Sequence, residues 1–411
     1  MTGFKRTLGV NDAVIIGAGS MIGAGAFAAW APAAEAAGTG LLVGLLIAGV
    51  VAFCNATSSA QLAALHPESG GTYVYARKEL GPVWGRMAGW GFVVGKTASC
   101  AAMALTVGAY LWPEQERLVA VLAVAGITAV NLGGLSRTVA VTRVLLVVSL
   151  SALTIVVLSG WSSGEADLGR LTPIDTDVRG ILQSAGFLFF AFAGYARIAT
   201  LGEEVRDPAV TIPKAIPRAL FGVLLLYAVV AVSALAAVDT DVLAATDAPL
   251  RPVVDVGFST FGPLVRIGAG IAALGVLLNL IPGVSRTSLA MARRRELPAF
   301  FAHVDTARSL PLRAELTVAS IVVVLVLVTE LRSAIALSGV AVLAYYALTN
   351  ASVLALSPEQ RRWPAAIAGL GLVGCIVLIV SLPPEALVVG VVLLAGGALA
   401  GPRQVDDVSE R

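Results

Sequence analysis

Apolar runs of about 20 residues recur along this chain from end to end, and each is long enough to cross roughly 30 Å of hydrocarbon as a helix. Run length and the Gly, Pro and charged residues between runs predict about twelve spans. They lie near 12–32, 40–63, 83–111, 117–133, 139–160, 180–201, 217–238, 263–284, 314–329, 333–355, 364–381 and 385–401. The short turn Gly133-Gly134-Leu135-Ser136 makes the fourth and fifth antiparallel neighbours, and Pro383-Pro384 separates the last two. Three connections are longer: 65–82, 203–217 and 239–263, the last mixing Pro249, Pro252 and Gly262 with apolar residues as a partly buried re-entrant or lid segment does. None is long enough for a separate soluble domain. The pattern therefore predicts one all-α polytopic membrane domain over 12–401, with short tails at 1–11 and 402–411.

The first run carries an anomaly. Gly17-Ala18-Gly19-Ser20-Met21-Ile22-Gly23-Ala24-Gly25 places four glycines in nine residues. Each costs roughly 1 kcal/mol against alanine in a helix. In hydrocarbon a broken helix also leaves N–H and C=O groups with no water to bond, so a break persists only against protein or a wet cavity. Such a stretch is either a close-packing face of small residues or a site that uses bare backbone polarity.

Composition narrows the class. Hydrophobic residues make up 57% and charged residues 13%, against about 25% charged in soluble domains. Mean hydropathy is +0.88. The net charge of +2 is too small to suggest a nucleic-acid partner, no basic tract carries interleaved aromatics, and no such partner is expected. Cys54, Cys100 and Cys375 lie far apart in apolar runs, as packing cysteines do, and His66 and His303 sit alone in loops, so no metal site is expected. No signal peptide precedes the first span. Taking the N-terminus as cytoplasmic, twenty Lys and Arg fall on that side and six on the other, leaving Lys96 and Arg197 inside spans. Both termini are expected in the cytoplasm. The run Arg293-Arg294-Arg295 helps to fix that topology, and it stands where anionic lipid head groups lie.

A second irregularity falls in the sixth span, where Gly194 stands near the middle of Phe189-Phe190-Ala191-Phe192-Ala193-Gly194-Tyr195-Ala196-Arg197. Arg197 at such a depth costs about 2.5–3.5 kcal/mol on insertion scales and should face a cavity or a partner. Spans one and six each open a block of five. Interrupted helices at matching positions in two halves point to an inverted-repeat transporter with a site at the midplane.

These stretches resemble the amino acid–polyamine–organocation transporters over roughly residues 5–356. Ile22-Gly23-Ala24-Gly25-Ala26-Phe27 is similar to the family's first-helix break. Pro67-Glu68-Ser69-Gly70-Gly71-Thr72-Tyr73-Val74-Tyr75 is similar to its cytoplasmic signature. Phe190 to Tyr195, Glu203-Glu204-Val205-Arg206-Asp207-Pro208 and Ile212-Pro213-Lys214-Ala215-Ile216 are similar to the sixth helix and its tail. The resemblance implies a leucine-transporter-like, five-plus-five inverted repeat with helices 1 and 6 interrupted. The repeats would cover about 12–160 and 180–355, with two extra helices over 364–401. It also implies an amino acid or related amine as substrate. Its carboxylate would lie on the backbone N–H groups of Ile22, Gly23, Ala24 and Gly25. Ala191, Phe192, Gly194 and Tyr195 would line the amino and side-chain end, and Phe190 falls at the family's aromatic gate or is one more packing Phe. Half-helix termini suit this arrangement, with donors for an anion and carbonyls for a cation.

The chain also departs from the family. Ala196 stands where many members carry Asp or Glu, which argues against a dibasic substrate. Ser149 stands where several proton-coupled members have a lysine. One hydroxyl makes no oxygen cage for sodium, so a transported proton is favoured and no bound cofactor is expected. Lys96 lies mid-span with no acid nearby in sequence. A desolvated lysine is pushed towards neutrality, so Lys96 either takes the proton-responsive role or snorkels to the cytoplasmic surface. Arg197 either pairs with Glu203 or Glu204 or touches substrate. Glu203, Glu204 and Arg206 read as gating residues or as a solvated charged turn.

The expectation is a secondary amino acid permease of the plasma membrane, working by alternating access on neutral substrates. It would have no catalytic residues and no obligate protein partner. An exchanger of the same fold and a nontransporting sensor or subunit are the alternatives. A membrane-embedded enzyme lacks its paired carboxylates or His clusters, and ATP-driven transport lacks its phosphate-binding loop.

Overall fold

The computed structural model describes residues 8–66, 68, 70–133, 139–162, 164, 166–172, 174, 176–199, 204–305 and 310–399. Among these residues the chain is helical, with two isolated bridges, Leu8 with Val205 and Asp305 with Leu310, as its only extended pairing.

The first expected span is three pieces: α1 (Val10–Met21), α2 (Gly25–Ala28) and α3 (Trp30–Ala37). Then come α4 (Leu41–Leu65), the short α5 (Thr72–Glu79), α6 (Pro82–Leu111), α7 (Glu116–Leu132) and α8 (Val139–Ser162). The sixth span is α9 (Val178–Phe192) followed through a tight turn by α10 (Ala196–Ala199). α11 (Pro208–Ala237) leads to two short helices, α12 (Thr240–Ala244) and α13 (Leu250–Val256). The remainder is α14 (Gly262–Arg293), α15 (Leu312–Val328), α16 (Leu331–Ala355), α17 (Ala365–Ser381) and α18 (Pro384–Leu399). Eight helical segments among the described residues are long and apolar enough to cross a membrane, and Ala365–Ser381 and Pro384–Gly397 are shorter apolar helices.

Local chemistry sets several boundaries. The Asp177 carboxylate accepts from the Gly180 N–H at 2.7 Å and starts α9 as its N-cap. Prolines open α6 and α11, where the missing N–H has no helical partner to lose. The sequence predicts a connection over 203–217, yet α11 begins at Pro208 and runs through Pro213 and Pro217. Pro213 cannot bond the carbonyl four residues back, that of Ala209. The Arg362 guanidinium donates to this carbonyl instead, at 2.8 Å. The lost helix bond is replaced from the far end of the chain.

Packing is built on small residues. α6 is the central pillar, against α14, α16, α7 and α5, and it is mostly buried, whereas α7 and α8 turn large apolar side chains outward. Ala and Gly faces let such helices approach closely where burial of apolar area gives no preference between neighbours and lipid. Between α4, α16 and α17 lies a buried polar network. The Ser58 hydroxyl donates to Asn350 Oδ1 at 2.7 Å, and Asn350 Nδ2 donates to Asn55 Oδ1 at 2.6 Å.

Candidate functional site

The helix of α1 stops at Met21 because Ile22 leaves helical geometry, with ψ at 70°. Its N–H still reaches Ala18 O at 2.8 Å, and the Gly23 N–H folds back on Met21 O at 2.8 Å. The bonds that Gly23 and Ala24 would make to Gly19 and Ser20 in a continuous helix are not made. Beyond the break, Ala26 donates to Gly23 O and Phe27 to Ala24 O, both at 3.0 Å. Among the described residues no backbone acceptor takes the N–H groups of Ala24 and Gly25. Of the four donors that the sequence singles out, Ile22 and Gly23 are used within the break, and Ala24 and Gly25 stay open.

The sixth span behaves differently. Phe192, Ala193 and Ala196 all keep right-handed helical angles, and Ala193–Tyr195 is a single 3₁₀ turn. Among the described residues this helix is tightened, not opened. One glycine amid phenylalanines and alanines is too little to unwind it, and two tyrosines from other helices hold its carbonyls. Tyr227 Oη on α11 lies 3.2 Å from Ala191 O, and the Tyr346 hydroxyl on α16 donates to Ala193 O at 3.3 Å.

The two spans cross with backbone against backbone. A Cβ on Gly25 would sit 2.5 Å from Ala191 Cα, and one on Gly194 would overlap the Ser20 carbonyl. Tyr227 joins them. Its single proton serves Met21 O at 2.9 Å or Ala191 O, so one hydroxyl spans both irregularities. Trp30 and Phe192 pack edge-on against its ring at 6.0 and 5.2 Å between centroids. On the other side the Tyr110 hydroxyl of α6 donates to Phe27 O at 2.8 Å and accepts from the Leu250 N–H of α13 at 3.3 Å. The stretch 239–263 therefore lies over the first span, anchored to it through Tyr110.

The structure thus brings Ile22, Gly23, Ala24 and Gly25 together with Ala191 and Gly194. Phe190 and Phe192 are buried beside them on α9. The Tyr195 ring turns to Tyr346, 5.1 Å away, and so faces α16. The residues expected to couple or gate lie apart from this crossing. Lys96 is 8% exposed on α6, one turn before Cys100 and beside Gly95, which packs on Ala341 and Val342 of α16. Among the described residues it has no ion pair. The Ser149 hydroxyl donates to Leu145 O at 2.8 Å, within its own helix. Arg197 reaches the surface within electrostatic range of Glu204 and Arg286. Glu203 lies outside the described residues. Glu204 acts through its backbone: its carbonyl accepts from the Leu8 N–H at 3.2 Å, and the Arg206 N–H donates to Leu8 O at 2.9 Å. Among the described residues no group of acids, His and Cys is placed to hold a metal.

At the end of the molecule where the 239–263 stretch lies, Arg332 of α16 holds both the Glu35 carboxylate of α3 and the Ala244 carbonyl of α12. Asp247 stands near this latch. Burial raises its pKa and Glu330 adds to the rise, while Arg332 opposes it.

Sequence reasoning missed the three tyrosines. A signal was present: a tyrosine in an otherwise apolar span must find a partner for its hydroxyl. Which carbonyl it finds depends on the fold.

A family model described as amino acid permease matches residues 8–396, nearly the whole chain. The chain belongs to the amino acid permease family. The permease is 55% identical over 404 residues to an uncharacterized transporter of Mycobacterium tuberculosis, covering 98% of this chain and 92% of that one. It is 27% identical over 383 residues to the chloroplastic cationic amino acid transporter 7 of Arabidopsis thaliana, covering 85% and 65%. With a branched-chain amino acid permease of Bacillus subtilis it shares 24% over 410 residues, covering 92% and 88%. The permease is therefore an integral membrane transport protein of the amino acid–polyamine–organocation group.

Proposed function

We propose that the permease is a secondary active transporter of neutral amino acids in the plasma membrane. It has a five-plus-five inverted repeat, two extra C-terminal helices, and both termini in the cytoplasm. One set of helices rocks against the other around the crossing of the two irregular spans. The observation that carries this reading is the pair of open N–H groups at Ala24 and Gly25. Both donors are buried, and among the described residues no backbone acceptor takes them, so a substrate carboxylate can satisfy both. Carbonyls released at the first break face the ammonium end.

Neutral selectivity is read from Ala196, which stands where a carboxylate would balance a second positive charge. The name of the Bacillus relative, a branched-chain amino acid permease, agrees with this, while the Arabidopsis relative is named for cationic substrates. The driving ion is a proton, taken and released by Lys96. The support is its position: Lys96 is a buried amine in mid-span with no ion pair among the described residues.

The test is a thermal-shift screen of the twenty amino acids on purified protein, followed by uptake into proteoliposomes. Neutral amino acids should raise the melting temperature and accumulate under an inward proton gradient. Stabilisation by arginine and lysine alone would overturn the selectivity. Accumulation only with amino acid already inside the vesicle would make the protein an exchanger. Lys96→Met should abolish the pH dependence of uptake and leave binding measurable, and an unchanged pH profile removes Lys96 from coupling.

A further inference from the structure

The signature helix α5 does more than connect α4 to α6. Thr72 anchors its start to α16: its N–H donates to the Tyr345 hydroxyl at 2.9 Å, and its own hydroxyl meets that of Thr349 at 2.7 Å. Its remaining length lies across the first turns of α6, where two glycines one helical turn apart admit it. A Cβ on Gly85 would stand 2.5 Å from Arg77 Cβ, and one on Gly89 would stand 2.7 Å from the Tyr73 ring. The end of α14 closes the third side. Glu296, which follows it, is buried, accepts from the Tyr73 hydroxyl at 2.6 Å and pairs with Arg77.

This corner collects positive charge that its acids do not balance. Two guanidinium groups lie over the Tyr73 ring, Arg77 at 5.7 Å and Arg294 at 5.6 Å from its centroid. Arg86 stands next to Gly85 on α6, and Arg293 and Arg295 flank Arg294 in sequence. Each acid at the corner is already engaged: Glu68 with Lys78 at 2.5 Å, Glu79 with His66 at 2.6 Å, and Glu296 with Arg77. Among the described residues Arg86 and Arg294 have no ion pair. The Nε–H groups of Arg77 and Arg86 are shielded from solvent and bond no acceptor. Arg86 and Arg294, with no ion pair of their own among the described residues, repel each other and Arg77, and an anion removes that repulsion.

The neighbouring surface says where the anion comes from. Val83 and Trp84, in the first turn of α6 just ahead of Arg86, are 48% and 46% exposed. A bare tryptophan at the end of a membrane-spanning helix marks the level of the head groups. A soluble anion has no use for an apolar rim, but a phospholipid lays its chains along it.

We propose that the corner formed by α5, the start of α6 and the end of α14 is a head-group site for an anionic phospholipid, whose phosphate lies between Arg86 and Arg294. The proposal rests on the membrane placement of the permease and not on its substrate. The occupied site clamps α5 to the end of α14, adding to the links through Glu296 and the Arg294–Tyr73 contact.

Native mass spectrometry and thermal shift on the purified full chain test this, with phosphatidylglycerol, phosphatidylcholine and inorganic phosphate titrated in parallel. Phosphatidylglycerol should bind and raise the melting temperature at concentrations where the other two do neither. Arg86→Gln with Arg294→Gln should weaken that binding by about fivefold per arginine removed. Arg179→Gln, at the opposite end of the molecule, should leave it unchanged. If the double variant does not fold, Arg294→Gln alone is read against the same expectation, since its side chain is exposed. Equal effects of phosphate and phosphatidylglycerol, retention of binding in the variants, or an equal loss in Arg179→Gln each overturn the proposal. A neutral amino acid added to the same samples separates the two readings. Its stabilisation without phosphatidylglycerol selectivity sinks only the lipid site, and the reverse result sinks only the substrate.

Discussion

The two irregular spans meet at one crossing yet solve the same problem in opposite ways. At Ile22 the first leaves helical geometry, and two buried N–H groups are left without a backbone acceptor among the described residues. The sixth keeps helical angles through Ala193–Tyr195 and shortens its hydrogen-bond pattern by one residue. The first is written by its own sequence, because glycines weaken any helix that contains them. The second is held from outside, by hydroxyls on α11 and α16. An open backbone offers binding groups, and a tightened one offers a stiff wall against which they are positioned. The crossing needs one of each.

That contrast breaks most severely where the two backbones touch. Gly194→Val drives a side chain into the Ser20 carbonyl. It should cost ~3 kcal/mol of stability, at the upper end of overpacking, and abolish the amino-acid-induced thermal shift. Tyr227→Phe comes next. It leaves Met21 O and Ala191 O without their shared donor, for a loss of ~1–3 kcal/mol. Amino acid affinity, measured by calorimetric titration, should fall by roughly tenfold or more, because the open span loses its register on the closed one. Tyr346→Phe removes only the longer 3.3 Å bond to Ala193 O, within the tightened span. Its effect should be ~0.5–1 kcal/mol on the melting curve with affinity nearly intact. A larger loss of affinity in Tyr346→Phe than in Tyr227→Phe would reverse the assignment of roles.

The smallest effect is expected at Asp247, beside the latch of Arg332. Burial raises its pKa above the ordinary carboxylate value, so the folded state holds this proton more tightly than the unfolded chain does. Stability should therefore fall as pH rises from the usual carboxylate range through the raised value. Asp247→Asn should remove that decline and leave the rest of the pH profile unchanged, as read by melting temperature against pH.

The all-helical, membrane-spanning character was legible because a span is a local property: length, hydropathy and punctuation lie in consecutive residues, although eight segments of spanning length stand among the described residues against about twelve expected. The first break was legible for the same reason. The character of the second was not, since whether Gly194 opens or tightens its helix is decided by Tyr227 and Tyr346, both distant in sequence. The early start of α11 was hidden likewise. Prolines at 208, 213 and 217 read locally as a loop, and the guanidinium that makes Pro213 tolerable belongs to Arg362. Lys96 and Arg197 were legible as charges out of place, but their partners were not, because a lone charge in a span carries no record of what packs beside it. Of the expected donors at the first break, sequence could name the four residues and not the two that remain open, a choice made by the turn at Gly23.

The bond from Arg362 to the Ala209 carbonyl bears on how such permeases can be recombined. A chimera that takes its last helices from a relative imports whatever residue that relative carries at 362. If that residue cannot donate, the hybrid inherits a proline-broken helix at the start of α11 with its vacancy unfilled, although every graft boundary lies in a loop. Pro213 and the donor at 362 therefore form one heritable unit spread over both ends of the chain, and a working transplant moves them together or replaces the proline.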